Sequence, residues 1–231
     1  MGTTDDQPLP EEEREETSTR AQTLARRTTR ALLIVMLLAV PIAAYERQWL
    51  TALLVLFIIG LSLTPVALGR RFDVRVPAEF ELLAVLFIFA SLFLGEVHGY
   101  YAKFWWWDVV LHTGSGFLLG VVGFLLVYVL NGHESLELHM SPLFVALFAF
   151  AFAVAMGALW EIFEFGMDEV FRTNMQKTGL MDTMWDLIVD AVGALVIAWT
   201  GYAYMRSGKE HFLERWIARF VEANPKLFRP Q

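Results

Sequence analysis

Cysteine is absent from all 231 residues. That excludes disulfide bonds, a thiolate nucleophile and thiolate metal ligation. Charge is scarce as well. Asp, Glu, Lys and Arg make up 19% of the chain and apolar side chains 56%, where a soluble domain is nearer one-quarter charged. No basic stripe of the kind nucleic-acid binding needs is present. The formal net charge of −7 comes from an acidic N-terminal stretch and from one polar cluster further on. It is not a uniformly acidic surface.

Long apolar runs are what the chain has in abundance. Six segments, roughly 28–45, 49–69, 79–97, 108–130, 142–165 and 183–205, each approach the ~20 residues that a membrane span requires. The first, "RALLIVMLLAVPIAAYE", follows basic residues as a signal segment would; it reads as the first span. The expected fold is all-α, a polytopic transmembrane six-helix bundle. Residues 1–27 form a polar, partly disordered tail, 28–205 the membrane domain and 206–231 a second tail. In that last part "KEHFLERWIARFVE" places Phe212, Leu213, Trp216, Ile217, Phe220 and Val221 at helical spacing. It reads either as an amphipathic helix lying on the membrane surface or as a helix packed on the bundle end.

Lys and Arg near the span ends set the orientation. Arg26, Arg27 and Arg30, then Arg70, Arg71 and Arg75, then Arg206, Lys209, Arg215 and Arg219 fall on one side of an even-span topology. The other side has Arg47, Lys103, Arg172 and Lys177. Both termini are therefore expected in the cytoplasm, in a bacterial inner membrane.

Carboxylates stand where the bilayer would be. Span four opens with Asp108 and His112, span five ends with Glu161 and Glu164, and span six opens with Asp182, Asp186 and Asp190. The topology places all seven in the outer half of the membrane, where Glu96 and His98 are candidates to join them. Residues four apart on a helix differ by ~40° and ~6 Å, so Asp108 and His112 share a face, and the three aspartates span an arc of only ~80°. Lipid-facing charge is the costlier arrangement, so these faces should point inward. No Lys or Arg lies between Asp108 and Gly166 or between Met181 and Met205. Six carboxylates and one imidazole cannot stay ionised together without a counter-charge. Protonation of some acids is one remedy. Lys103, Arg172 or Lys177 folding in from the loops is another. The third is a divalent cation, for which oxygen ligands with one histidine suit Mg²⁺, Mn²⁺ or Ca²⁺, with Zn²⁺ also allowed.

Each residue also has a plainer reading. Asp182 and Asp108 could cap their helices, and Glu161 could tie two helices together. Gly116 and Gly120, with Gly123 one turn on, read as a close-packing face. "YYAKFWWWD" reads as an aromatic interface belt. Ser115 alone is too little for a nucleophile.

"WDVVLHTGSG", "WEIFEF" and "MDTMWDLIVDAVGAL", in that order on three spans, resemble the YjdF-type bacterial inner-membrane proteins, a family of unknown function, and more distantly the VanZ-like proteins. Asp108, His112 and Gly116 match the first element, with the Asp and His four positions apart here. Glu161 and Glu164 match the second, and Asp182, Thr183, Asp186 and Gly193 the third. Asp190 falls where the VanZ-like pattern has a polar residue, usually Asn. The resemblance covers roughly residues 49–205 and implies a six-span bacterial membrane protein. It supplies no activity; VanZ-like proteins are linked to glycopeptide-antibiotic tolerance.

Three functions are open at this point. One is a metal-dependent enzyme on a lipid or lipid-linked envelope substrate. In it Asp108, Asp186 and Glu161 hold the cation, with Glu164, Asp182 and Asp190 as further ligands, and His112 is ligand or general acid/base. Another is a non-catalytic scaffold or envelope-stress factor. The last is a cation- or proton-coupled transporter.

Overall fold

The computed structural model describes residues 11–131, 140–207 and 219–225. Among them every regular element is a helix: α1 Glu11–Tyr45, α2 Trp49–Ser62, α3 Thr64–Arg71, α4 Ala78–Ile88, a π-helical segment Phe89–Val97, α5 Tyr100–Lys103, α6 Trp106–Asn131, α7 Pro142–Phe171 and α8 Leu180–Ser207. Five stretches are long and apolar enough to cross a membrane: Thr19–Tyr45, Trp49–Arg71, Ala78–Val97, Trp106–Val127 and Pro142–Phe171. α8, with its three aspartates, is not among them. Most of the amphipathic segment expected after residue 206 lies outside the described residues.

The chain divides into two units, Met1–Phe89 and Ala90–Gln231. In the first, α1 packs on α2 and α4. α1 takes in the acidic residues from Glu11 onward as well as the basic stretch before the span. α2 and α3 form one apolar stretch interrupted at Leu63, where Pro65 follows at the start of α3. Proline lacks an amide hydrogen and crowds the preceding turn. Side chains answer the break locally: Ser62 Oγ donates to the Ile58 carbonyl at 2.9 Å and Thr64 Oγ1 to that of Leu61 at 2.6 Å.

The second unit is built on α6, α7 and α8, each of which touches the other two. Small residues make that possible. Gly116 and Gly193 leave so little space that a Cβ on either would overlap backbone of the facing helix, at Asp190 and Thr113 respectively. Gly120 lies against Ile197 and Ala194, Gly123 against Ala149 and Phe152, and Gly201 against the Phe124 ring. The close-packing role expected for Gly116, Gly120 and Gly123 is thus divided: two serve α8 and one serves α7. Toward the Asn131 end this three-helix interface is apolar, with Phe124, Val127, Val145, Ala149 and Ile197 buried. Polar groups gather at the opposite end, where α6 and α8 begin and α7 finishes.

Large apolar side chains remain on the outside throughout, among them Leu50, Leu147, Ile162, Val170 and Trp199. A surface of that kind suits lipid and not water. Gly116→Ala should lower stability by about 1–3 kcal/mol, because two backbones would have to part. Gly114→Ala meets nothing within 4 Å and should be neutral or stabilising by roughly 0.5–1 kcal/mol from helix propensity. Unfolding of the detergent-solubilised variants measures both; equal effects would contradict the packing described.

Candidate metal centre

Asp108 sits in the first turn of α6 and His112 one turn further on. Asp186 approaches from α8, so that His112 Nε2 lies 3.7 Å from Asp108 Oδ1 and 3.9 Å from Asp186 Oδ2. One ligand atom from each of the three lies within 4.8 Å of the other two. The site is dry. His112 is 8% exposed, Glu161 4%, Glu164 9%, Asp186 4% and Asp190 1%.

Asp190 is one turn deeper than Asp186 and does a different job. Its Oδ2 lies 3.2 Å from His112 Nδ1, and its Oδ1 accepts from Ser115 Oγ at 2.5 Å. This contact turns the Nε2 side of the ring toward Asp108 and Asp186. A carboxylate behind a histidine in this way fixes the tautomer and ring orientation of a metal-ligating imidazole. Glycine creates the room: a Cβ on Gly157 of α7 would come within 2.6 Å of Asp190 Oδ2. Sequence spacing offered Asp190 as a ligand; the geometry sets it against His112 Nδ1 and Ser115.

α7 contributes two glutamates with unlike surroundings. Glu164 Oε1 accepts from Trp160 Nε1 at 3.0 Å. Both oxygens of Glu161 are buried. Its carboxylate lies near His112 and Asp190 and has the Thr183 hydroxyl and the Gln176 amide as hydrogen-bonding neighbours; Gln176 Nε2 donates to Thr183 Oγ1 at 2.7 Å, which leaves the Thr183 hydroxyl hydrogen to turn toward Glu161. A carboxylate this buried is costly unless donors such as these meet it.

The loop between α7 and α8 closes the rim. Arg172 takes a left-handed conformation, φ 57°, at the end of α7. Asp168 then accepts from Thr173 Oγ1, the Met175 amide and the Gln176 amide, at 2.6, 2.8 and 2.9 Å. Lys177 follows, its Nζ donating to Asp108 Oδ2 at 2.6 Å and lying 4.3 Å from the centre of the Tyr101 ring. The Tyr101 phenol is pushed above its ordinary range, first by burial and then by the surrounding carboxylates of Asp108, Glu96, Glu164 and Asp186. Tyr101 itself lies against Gly95, within the π-helical segment. Asp182 lies inside the first turn of α8, and its Oδ2 accepts from the Lys177 amide at 3.0 Å. Of the three loop cations offered by the sequence, Lys177 turns in, while Lys103 Nζ donates to the His98 carbonyl at 2.7 Å. His98 is turned to its own backbone, with Nδ1 2.8 Å from the Phe93 carbonyl oxygen, and Glu96 is exposed.

The residues that make this site lie within the stretch that a known family covers. Its model, described as "Predicted membrane protein (DUF2238)", matches residues 25–207. The chain belongs to this family. A relative from Thermotoga maritima carrying the name "Uncharacterized protein" is 29% identical over 124 residues, 54% of this chain and 62% of that protein. This DUF2238 chain thus aligns with less than two thirds of that relative's length. No solved structure matches it.

Sequence reading missed the roles of Ser115, Gly157 and Asp168. Ser115 was visible three residues after His112, but nothing in the sequence tied it to Asp190 across 75 positions. Gly157 lies one helical turn before Glu161 on the face turned to Asp190, a small residue where a bulky one would fill the site. If Glu161 is an unpaired buried carboxylate, Glu161→Met should stabilise chelator-treated protein by about 1–3 kcal/mol. Thermal unfolding in detergent would show it, and a destabilisation of that size would instead assign Glu161 a structural tie.

Proposed function

We propose that this member of the DUF2238 family is a divalent-cation-dependent membrane enzyme acting on a lipid or lipid-linked substrate. The observation that carries the reading is the convergence of Asp108, His112 and Asp186, with Glu161 buried on the facing helix. Acidic clusters by themselves are common. A buried histidine backed by Asp190 is not what a solvated cluster needs. Oxygen ligands with one imidazole suit Mg²⁺, Mn²⁺ or Zn²⁺.

In this account Asp108, Asp186 and His112 Nε2 hold the cation, and Asp190 with Ser115 keeps the imidazole pointed at it. Such a cation supplies Lewis-acid polarisation and an acidified water. Glu161 is the group assigned to take the proton; Glu164, tied to Trp160, completes the negative wall. Shallow depth favours a lipid head group as the thing acted on. Asp108 lies in the first turn of α6, next to the exposed Trp105 and the half-exposed Trp106, with Trp185 exposed on α8. Indole rings of this kind favour the membrane–water interface.

The same reading takes α8 as a sixth span. Its 28 residues extend about 42 Å, it packs against two apolar helices, and its acid is confined to the end that faces them. Six spans with the Arg and Lys distribution described above put both termini in the cytoplasm and the site at the outer leaflet of a bacterial inner membrane, as the YjdF-type resemblance also implies. A transport path is less well supported, because the interface beyond Asp190 closes on Ala194, Ile197 and Phe124. A pure scaffold accounts for the Lys177–Asp108 tie and for Glu161 near Thr183 and Gln176, but not for the convergence of Asp108 and Asp186 on one face of His112.

Mn²⁺ at a hundredfold excess over its dissociation constant should stabilise the chelator-treated protein by about 2.7 kcal/mol. Asp186→Asn or His112→Gln should abolish that gain, and Asp190→Asn should weaken Mn²⁺ binding by roughly 10–100-fold. No stabilisation by Mn²⁺, Mg²⁺, Ca²⁺ or Zn²⁺ in the unaltered protein would refute the reading.

A further inference from the structure

The two oxygens of Asp108 serve different neighbours. Oδ1 faces His112 Nε2 at 3.7 Å, on the side where a cation would sit. Oδ2 carries the Lys177 ammonium at 2.6 Å. The ammonium is not there by chance of a floppy side chain. Its backbone amide is bonded to Asp182, the two residues before it are pinned by Asp168, and the Tyr101 ring lies beneath it. Asp108 is mostly buried, while Lys177 keeps a third of its side chain exposed and so has room to leave.

We infer that Lys177 is the resident counter-ion of the centre and the residue that decides which cations it accepts. The inference rests on the metal-centre reading above. A cation held by Asp108, Asp186 and His112 shares its carboxylate with a second positive charge a few ångströms away, in surroundings that screen poorly. Either the ammonium moves out or the carboxylate is divided. A monovalent ion has the same charge as the ammonium and none of the advantage of being tethered, so it cannot displace it. A divalent ion doubles the charge and gains correspondingly more from Asp108 and Asp186. Lys177 therefore opposes every cation and selects for divalent ones.

The sign of this effect distinguishes it from a structural role. Removing a structural tie would loosen the site and weaken cation binding. Removing a competing charge tightens it. Full-length protein in detergent, freed of metal, would be titrated with Mn²⁺ by calorimetry, with Lys177→Met and Lys177→Arg beside the unaltered chain. Lys177→Met should bind Mn²⁺ about tenfold more tightly, and Lys177→Arg should stay near the unaltered value. Excess NaCl should weaken Mn²⁺ binding to Lys177→Met more than choline chloride does at the same ionic strength, and should show no such preference in the unaltered protein.

Equal or weaker Mn²⁺ binding in Lys177→Met would overturn the inference, as would an Arg variant that binds as tightly as the Met variant. If Lys177→Met does not fold, Asp168→Asn releases the loop with the ammonium intact. It should tighten Mn²⁺ binding about threefold, and unchanged affinity would count against the competition. Mn²⁺ binding to the unaltered protein, lost in Asp186→Asn but indifferent to Lys177, would sink this inference alone. Absence of Mn²⁺ binding in all forms would sink the metal centre with it.

Discussion

The contact between His112 and Asp190 is the constraint on which the second unit turns. A carboxylate that is 1% exposed can persist only where hydrogen-bond donors meet it, and His112 and Ser115 on α6 supply them. To bring α8 that close, α6 must present glycine at 116 and α8 glycine at 193; α7 must present glycine at 157. The packing of three helices and the aim of one imidazole are thus a single arrangement. Disturbing either disturbs both.

Charge balance follows from the same geometry. Asp190 is answered by His112 and Ser115, Asp108 by Lys177, Asp182 by the Lys177 amide, and Glu164 by Trp160. Asp186 lies near His112 Nε2, and Glu161 has Thr183 and Gln176 beside it. On the proposed reading, the acid that Lys177 and His112 do not balance is what a doubly charged ion would answer. The Lys177 loop then reads as part of the centre and not merely its cover.

Much of this was legible in the sequence, for a definite reason. Apolar runs near twenty residues long identify helices in a membrane protein, and a period of four places Asp108 with His112, and Asp186 with Asp190, on shared faces. Five of the six expected spans are long, apolar helices; the remaining one, α8, is a 28-residue helix whose aspartates dilute its apolar character. What could not be read was the division of labour among like residues. Asp186 and Asp190 have the same side chain and similar neighbours in sequence. Only the approach of α6, set by the glycines, brings Asp186 toward His112 Nε2 and Asp190 toward Nδ1. Asp182 looked like a cap because aspartate near a helix start usually is one, yet the loop amide of Lys177 reached it first. The choice of Lys177 over Lys103 depends on the turn that Asp168 builds, which involves backbone amides that no side-chain pattern reveals.

The central claim is that side chains from α6 and α8 meet on one cation. Electron paramagnetic resonance of the Mn²⁺-loaded protein tests it directly, because a bound imidazole nitrogen couples to the manganese electrons. The account predicts one tightly held Mn²⁺ per chain with a single nitrogen coupling that disappears in His112→Gln. A spectrum showing only hydrated Mn²⁺, or a nitrogen coupling unchanged in His112→Gln, would contradict it.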